Sequence, residues 1–214
     1  MAIDREVLVE KVTRGGELPA YGFVPDGIAD YISQKVSWAN MSQVDRDAAA
    51  FKLMSEAGYG PRKPLNVRLT YATSENRKQI AVAIAAMWKK LGVNVELVNM
   101  EARVKVANMR QGNFEVVQTG WGADYNYAQD FLFQSLFRFT GFSNPDYDRL
   151  MDAASVTGGK RAQLLGQAEQ VLLRELPVLP IYFDAAQNLV SSRVKGWEDN
   201  LRNITYVKDL SLEK

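Results

Sequence analysis

The sequence predicts an α/β fold in which a mixed, mostly parallel sheet is flanked by helices. Two observations support this prediction. The segment 65–99 passes from a strand pattern, LNVRLTYAT, through a helical stripe to a second strand pattern, VNVELVN. The connections between these three pieces are short, and two strands joined through one helix run parallel and form a βαβ unit.

Side-chain periodicity supports each part of the βαβ unit. Apolar residues alternate in both strands, which places them on one face of a sheet, and they recur every three or four residues in the helix. Ser74 is the expected N-cap of that helix, and Gly92 is its expected end. The apolar positions are Leu65, Val67, Leu69 and Tyr71 in the first strand, Ile80, Ile84, Met87 and Leu91 in the helix, and Val93, Val95 and Leu97 in the second strand.

The other elements are predicted from periodicity, capping residues and turn residues. Residues 15–41 are rich in glycine and proline, and we expect them to form a long ordered loop. The predicted helices are 3–13 (ended by Gly15 and Gly16), 43–57 (capped by Ser42), 101–111, 128–137, 145–155 and 160–175, the predicted strands are 114–120 and 177–183, and short strand-like pieces lie near Val194, Ile204 and Leu210.

Charge and residue usage exclude several classes of protein. The 214 residues include 26 basic and 25 acidic side chains, a net charge of +1, whereas a nucleic-acid binder would show a basic face. The sequence contains no histidine and no cysteine, which excludes a Ser-His-Asp triad, a Cys-His pair and imidazole or thiolate metal ligands within the chain. Carboxylate or lysine chemistry stays open. No apolar stretch approaches the ~20 residues of a membrane helix, and the chain opens with a helical pattern instead of a signal peptide.

The segment GWGADY at 120–125 follows the predicted strand FEVVQTG, at the strand end where open α/β sheets bind ligands. Trp121 offers a flat apolar wall with one N–H donor. Asp124 offers a carboxylate that can hold an α-ammonium group, while Gly120 and Gly122 let another backbone approach closely. This combination suits an extended peptide that pairs with the chain by strand addition.

Purely structural roles compete with this functional interpretation. A tryptophan at the end of a strand more often packs in a core, and an aspartate there more often caps a turn. Asp124 and Asp130 are also conceivable as the acid and base of a glycosidase, although nothing in their spacing requires it. The basic residues Arg103, Lys105 and Arg110 share one predicted helix and are interpreted as a solvent-exposed face.

In order and spacing, these segments resemble the carboxy-terminal part of the bacterial extracellular solute-binding proteins of family 5, the peptide/nickel group. The resemblance begins with MAIDREVLVEKVTRGGELPAYGFVP and continues through the AGY turn, the βαβ unit and its LGV strand. It includes GNFEVVQTGWGADY and PVLPIYF and extends to the KGW and NITYVKDLSL segments, so it covers almost the whole chain. Within the group, the chain is most similar to oligopeptide and murein-peptide receptors.

The resemblance implies a periplasmic binding protein-like lobe of the class II type. It further implies the substrate-binding component of an ABC importer in the periplasm, which captures short peptides between two lobes and delivers them to the permease subunits, without catalysis, cofactor, metal or nucleic acid. Residues 1–183 are then the carboxy-terminal lobe, and 184–214 are a tail that would return to an amino-terminal lobe absent from the chain. The alternatives are a carboxylate-based hydrolase of α/β fold and a nickel or haem receptor of the same family.

The same resemblance implies site residues. Trp121 and Asp124 match the family's pocket tryptophan and its carboxylate for the peptide amino terminus, and residues 120–122 match the strand segment that pairs with the ligand backbone. Gln118 stands where a relative can carry an arginine, and Asp184 stands where an aromatic residue can line the cleft. The candidate ligand contacts are Gln118, Gly120, Trp121, Gly122, Asp124, Asp184 and Arg110.

Overall fold

The computed structural model describes residues 1–133, 137–200 and 203–213. Its helices are α1 (Arg5–Val7), which continues as a π-helical turn (Leu8–Thr13), α2 (Gln43–Glu56), α3 (Glu75–Lys89), α4 (Ala102–Arg110), α5 (Ala128–Phe131), α6 (Pro145–Val156), α7 (Arg161–Glu175) and a short 3-10 helix (Val207–Asp209). Its strands are β1 (Leu18–Pro19), β2 (Leu65–Ala72), β3 (Val93–Met100), β4 (Val116–Val117), β5 (Tyr182–Phe183), β6 (Val194–Lys195) and β7 (Ser211–Leu212). Within the described residues, no helix combines the length and the apolar character needed to cross a membrane.

The predicted βαβ unit is confirmed, and it belongs to a three-stranded parallel sheet with strand order β3-β2-β4. Strand β2 pairs with β3 along its full length, from Leu65 opposite Val93 to Ala72 opposite Met100, and with β4 over two residues. Because the three strands are parallel, their carboxyl ends meet at one edge of the sheet. Helices α3 and α4 begin at that edge, and the chain leaves β4 there.

Helix α3 covers one face of the sheet with the apolar stripe that the sequence predicts. Ile80 and Ile84 are buried and pack with Leu69 and Tyr71, which alternate along β2. Burying one such side chain contributes about 1.5–3 kcal/mol relative to leaving it in water. The stripe therefore anchors the unit on which the carboxyl edge of the sheet is built.

The first helix differs from its prediction in start, side-chain phase and end. Asp4 caps it by accepting a hydrogen bond from the Val7 backbone N–H, so it begins later than predicted. The π-helical turn changes the phase of the side chains, and Leu8 and Val9 are buried whereas Val7 is exposed. The helix ends at Arg14, which takes a left-handed conformation with a φ of 56°, and not at the two glycines that follow.

The remaining helices follow their predictions with two local exceptions. Ser42 caps α2 as expected, accepting a hydrogen bond from the Asp45 N–H at 3.1 Å, and the bounds of α2, α4, α6 and α7 are each within one residue of the prediction. Ser74 stands at the N-cap of α3, but its side chain makes no capping hydrogen bond. The helix predicted at 128–137 is helical over α5, and its residues 134–136 lie outside the described residues.

Two predicted strands are much shorter in the structure. Of 114–120 only β4 pairs as a strand, although the Gln118 N–H still donates to the Thr70 carbonyl at 2.8 Å before the chain leaves the sheet. Of 177–183 only β5 pairs, and its partner is the equally short β1 in antiparallel register. β4 pairs over only two residues although its partner β2 is eight residues long, so the extent of pairing depends on tertiary structure that periodicity does not report.

A second core forms where α6 and α7 pack against the long loop 15–41. Leu165, Ala168 and Leu172 of α7 face this core, as the sequence predicts. Ala128 at the start of α5 is buried in the same cluster. The core therefore positions α5, which follows the GWGADY segment.

One buried carboxylate, Glu169, fastens the long loop to α7. Its Oε1 accepts hydrogen bonds from the backbone N–H groups of Phe23 and Val24, at 2.7 and 3.1 Å. Its Oε2 accepts one from the Tyr31 hydroxyl at 2.5 Å and one from the Gln34 N–H at 3.2 Å. Burial raises the pKa of this carboxyl above its ordinary value, and the four hydrogen bonds oppose that rise. Glu169 thereby fixes the part of the loop that contains Tyr31.

The chain after β5 contributes little to either core. The predicted pieces near Val194 and Leu210 form β6 and β7, which pair antiparallel, whereas the piece predicted near Ile204 is not a strand. No described residue beyond 183 is buried. Two apolar side chains of this segment, Leu189 and Val207, stand almost wholly in solvent.

We expect Glu169→Gln to lower the free energy of unfolding by about 3 kcal/mol, since an amide NH₂ would face backbone and hydroxyl donors in a buried site. Urea unfolding followed by circular dichroism measures this change. Glu175→Gln on the same helix is the control, because Glu175 is exposed and Arg174 is its one side-chain partner among the described residues; we expect a change within about 0.5 kcal/mol. Equal stabilities of the two variants would contradict the role of Glu169.

Candidate functional site

The turn that follows β4 lies at the carboxyl edge of the parallel sheet and is open to solvent. Gly120, Trp121, Gly122 and Asp124 are all exposed, and 44% of the Trp121 surface is accessible. Trp121 is therefore not a core residue of this chain. The structure brings four of the sequence-predicted residues together on one exposed turn.

Asp130, on α5, holds this turn through three hydrogen bonds. Its backbone carbonyl accepts one from the Trp121 Nε1–H at 2.9 Å. Its carboxylate Oδ2 accepts one from the Asp124 N–H and one from the Tyr125 N–H, the latter at 3.2 Å. One residue therefore orients both the indole and the backbone of the turn.

Sequence reasoning missed this role, since it weighed Asp130 only as a catalytic acid or base. The available signal was an acidic residue in the first turn of a predicted helix, where a carboxylate commonly accepts hydrogen bonds from nearby backbone N–H groups. Because two backbone N–H groups bind its Oδ2, Asp130 has a structural role in the turn. Its presence near Asp124 therefore does not require a catalytic pair of carboxylates.

The side chain of Asp124 remains available. Its carboxylate is exposed and makes no hydrogen bond or ion pair with the residues that the structure describes; only its backbone N–H is engaged. The backbone N–H and C=O groups of residues 120–122 likewise have no hydrogen-bond partner in the described ranges. An exposed carboxylate and an unpaired backbone segment are the groups that an ammonium and an extended peptide engage.

Two cations lie behind the turn. Lys105 is buried, and its Nζ donates to the Gln118 carbonyl at 2.8 Å. Burial lowers the pKa of Lys105, and the positive charge of Arg77 lowers it further. The Arg77 Nη2 atom lies 3.6 Å from the position that a Cβ at Gly120 would take, so the guanidinium stands next to the turn backbone.

The burial of Lys105 corrects the prediction that it belongs to a solvent-exposed face. Arg103 and Arg110 are exposed as expected, but Lys105 shares the inward side of α4 with Met109, four residues later. That spacing was visible in the sequence. The position of Arg77 beside Gly120 was not, because it depends on how α3 packs on the sheet.

The other predicted contacts are more scattered. The Gln118 Oε1 atom is buried and accepts no hydrogen bond from the described residues. Asp184 follows β5 and is exposed, and it lies with Arg77 within electrostatic range of Tyr182. Arg110 is exposed at the far end of α4, which leads away from the carboxyl edge towards the start of β4.

A cavity of about 560 Å³ opens beside the turn. Tyr125 and Asp130 line it, so the turn and the cavity share a wall. Its volume falls in the range of small-ligand sites, about 300–1,000 Å³. Within residues 1–133, 137–200 and 203–213, no group of three or more Asp, Glu, His or Cys side chains is arranged to hold a metal ion.

Comparison with known proteins identifies relatives of the chain. A model of the family described as "Bacterial extracellular solute-binding proteins, family 5 Middle" matches residues 1–142. The periplasmic murein peptide-binding protein MppA of Escherichia coli is 37% identical over 222 residues, which are 100% of this chain and 41% of the relative. The periplasmic oligopeptide-binding protein OppA of Salmonella typhimurium is 37% identical over 223 residues, again 100% of this chain and 41% of the relative. The chain thus spans about two fifths of the length of these relatives.

Solved structures match over the same extent. The Escherichia coli murein tripeptide binding protein MppA superposes with a TM-score of 0.89 at 36% identity, covering 100% of this chain and 43% of that one. Haemophilus influenzae OppA in complex with the peptide RPPGFSPFR superposes with a TM-score of 0.87 at 30% identity, covering 100% of this chain and 44% of that one. The predicted fold, an α/β lobe of the periplasmic binding protein kind, is confirmed.

We expect Asp130→Ala to release the turn, because two backbone N–H groups lose a charged acceptor. Charge-assisted hydrogen bonds contribute about 1.5–3 kcal/mol, so exchange of the Asp124 and Tyr125 amide hydrogens should quicken about tenfold or more, as measured by NMR. Asp124→Ala is the control, since its side chain holds neither N–H group; the Tyr125 amide should exchange at its original rate. Unchanged exchange in Asp130→Ala would contradict the assigned role.

Proposed function

This chain belongs to the bacterial extracellular solute-binding proteins of family 5, and on that premise we propose that it forms one lobe of a peptide receptor. The receptor is the substrate-binding component of an ABC importer, which captures short peptides between two lobes and passes them to the permease subunits. The relatives named above are periplasmic, which supports the periplasm as its location. Its role is binding and release, without chemical change of the peptide.

One observation supports the proposal most directly: the exposed turn after β4 presents unpaired backbone groups beside a carboxylate without a partner. Such a segment is an edge to which an extended peptide can add as a strand. The turn lies at the carboxyl edge of a parallel sheet, where α/β proteins bind their ligands. Asp130 keeps it in one conformation, so a guest does not have to order it.

Each residue of the turn has a proposed role. Residues 120–122 pair with the main chain of the peptide, which requires no particular peptide sequence. Asp124 accepts hydrogen bonds from the peptide's α-ammonium group. Trp121 provides an apolar wall for a peptide side chain, its indole fixed by the bond to Asp130. Gln118 before the turn, Asp184 after β5 and Arg110 at the end of α4 are proposed as further contacts of the peptide.

The division into lobes is part of the proposal. Residues 1–183 form the carboxy-terminal lobe, and 184–214 form a tail that reaches an amino-terminal lobe. The weak attachment of the tail supports this, since no described residue beyond 183 is buried and Leu189 and Val207 stand almost wholly in solvent. A peptide that contacts both lobes stabilises their closed arrangement, which the importer then recognises.

The two alternatives weighed from the sequence have no specific observation in their favour. In the carboxylate pair weighed for a hydrolase, Asp130 already has a structural role, since its Oδ2 accepts hydrogen bonds from two backbone N–H groups of the turn. For the nickel or haem receptor, the described ranges contain no group of three or more Asp, Glu, His or Cys side chains that could hold a nickel ion, and no observation points to haem. We therefore propose a single function.

We expect Asp124→Asn in the complete gene product to weaken the binding of a tripeptide with a free amino terminus by about tenfold to a hundredfold, since a charge-assisted contact is lost. Isothermal titration calorimetry measures the change. The same peptide with an acetylated amino terminus is the control, and the substitution should not affect its affinity. If both peptides respond equally, Asp124 does not bind the ammonium group.

The 214-residue chain alone should bind the same tripeptide more weakly than about 1 μM, because a cleft between two lobes supplies contacts from both sides. Calorimetry with the isolated chain tests this expectation. Micromolar or tighter binding would show that a second lobe is not required.

A further inference from the structure

The cavity beside the turn has a lining that the proposed backbone and ammonium contacts do not use. Three segments of the chain build it: part of the long loop, the stretch around α5, and the start of α7 with the residues before it. Four aromatic rings contribute to the lining, those of Tyr31, Tyr125, Tyr127 and Phe133. Tyr125, Tyr127 and Phe133 are about half exposed or more, so their surfaces are accessible to a guest.

A hydrogen bond of the Tyr31 hydroxyl fixes the position of the Tyr31 ring. Its hydroxyl donates to the buried Glu169 carboxylate at 2.5 Å. Burial raises the pKa of Tyr31, and the negative charge of Glu169 raises it further, so the hydroxyl keeps its proton. Because that proton is committed to Glu169, the ring offers a guest its face and not a hydrogen-bond donor.

The charges that line the cavity do not cancel. The three charged residues are Asp30, Asp130 and Arg161. The Arg161 Nε–H donates to the Ala154 carbonyl at 3.1 Å, in the last turn of α6, where a positive charge is stabilised by the helix end. The Asp30 carboxylate is exposed and makes no hydrogen bond or ion pair with the described residues, and only one oxygen of Asp130 is engaged.

We propose that this cavity is a subsite for a cationic aliphatic group, such as the ammonium end of a lysine side chain. The carboxylates of Asp30 and Asp130 supply the counter-charge, and the aromatic faces attract a cation through their quadrupoles. The cavity is larger than one side chain, so the cation keeps part of its hydration shell. The claim that this subsite selects among peptides rests on the proposed function. The claim that the cavity binds a cationic group does not depend on it.

A minimal guest tests the cavity on the 214-residue chain. The backbone amides of Tyr127, Gly158 and Gly159 are followed by ¹⁵N NMR during addition of n-butylammonium chloride. n-Butanol serves as the uncharged guest of similar shape, and sodium chloride serves as the ionic-strength control. We expect saturable shifts at these amides, with the ammonium bound about fivefold more tightly than the alcohol. Equal binding of the two guests, or shifts confined to other parts of the chain, overturns the proposal.

A pair of variants isolates the charge. Asp30→Asn should weaken n-butylammonium binding about fivefold and leave n-butanol binding unchanged. Asp26→Asn is the matched control, because Asp26 is exposed in the same loop, lies 3.9 Å from the Lys35 ammonium and does not line the cavity. An equal loss in both variants would indicate a general effect of net charge and would overturn the assignment.

Calorimetry on the complete gene product connects the cavity with peptide choice. Tripeptides that differ by lysine or norleucine at a single position are compared. At one position we expect lysine to be preferred about fivefold, and the preference to disappear in Asp30→Asn. If no peptide binds while n-butylammonium still occupies the cavity, the proposed function fails and the cavity assignment stands. Peptides that bind through Asp124 without a lysine preference at any position overturn the subsite and leave the proposed function intact.

Discussion

The candidate site depends on the hydrogen bonds between Asp130 and the turn that it faces. The backbone groups of residues 120–122 have no partner within the described ranges, so nothing in that segment itself selects one conformation. Asp130 does so from outside, since one carboxylate oxygen gathers two successive N–H groups and its carbonyl takes the indole N–H of Trp121. Because the Asp130 carboxylate accepts the backbone hydrogen bonds of the turn, the carboxylate of Asp124 is available to a ligand. A binding edge ordered in advance loses less entropy when a ligand arrives.

Buried charged side chains also hold other segments of the fold in place. Glu169 fastens the long loop to α7, and with it Tyr31 in the wall of the cavity. Arg5 is buried near the start of the chain, donates to the carbonyls of Ala20 and Pro180, and has its guanidinium 5.0 Å from the centre of the Tyr21 ring. These bonds join segments that are far apart in sequence. Buried groups whose hydrogen bonds are satisfied add specificity, whereas an unpaired one would be costly.

The sequence was most informative where structure is local. The βαβ unit, the cap at Ser42 and the inward side of α7 are set by residues a few positions apart, and the structure has them as predicted. Predictions failed where contacts between distant segments determine the local structure. Strands β4 and β5 pair over only two residues each, β4 even though its partner β2 is much longer, and the phase of the first helix changes in a π-helical turn that periodicity does not anticipate.

By itself, the sequence determined the α/β class, the parallel order of its central unit and the position of the turn at the end of a strand, because alternation, caps and glycines act over short distances. It also supplied the indole and the carboxylate of that turn. Only the tertiary structure decided that the carboxylate of Asp130, and not that of Asp124, accepts hydrogen bonds from the turn backbone. It also decided that Lys105 is buried behind Gln118 and that Asp30 lines the same cavity as α5. The physical reason is that each of these contacts joins residues from separate elements, and their meeting depends on packing that no local pattern encodes.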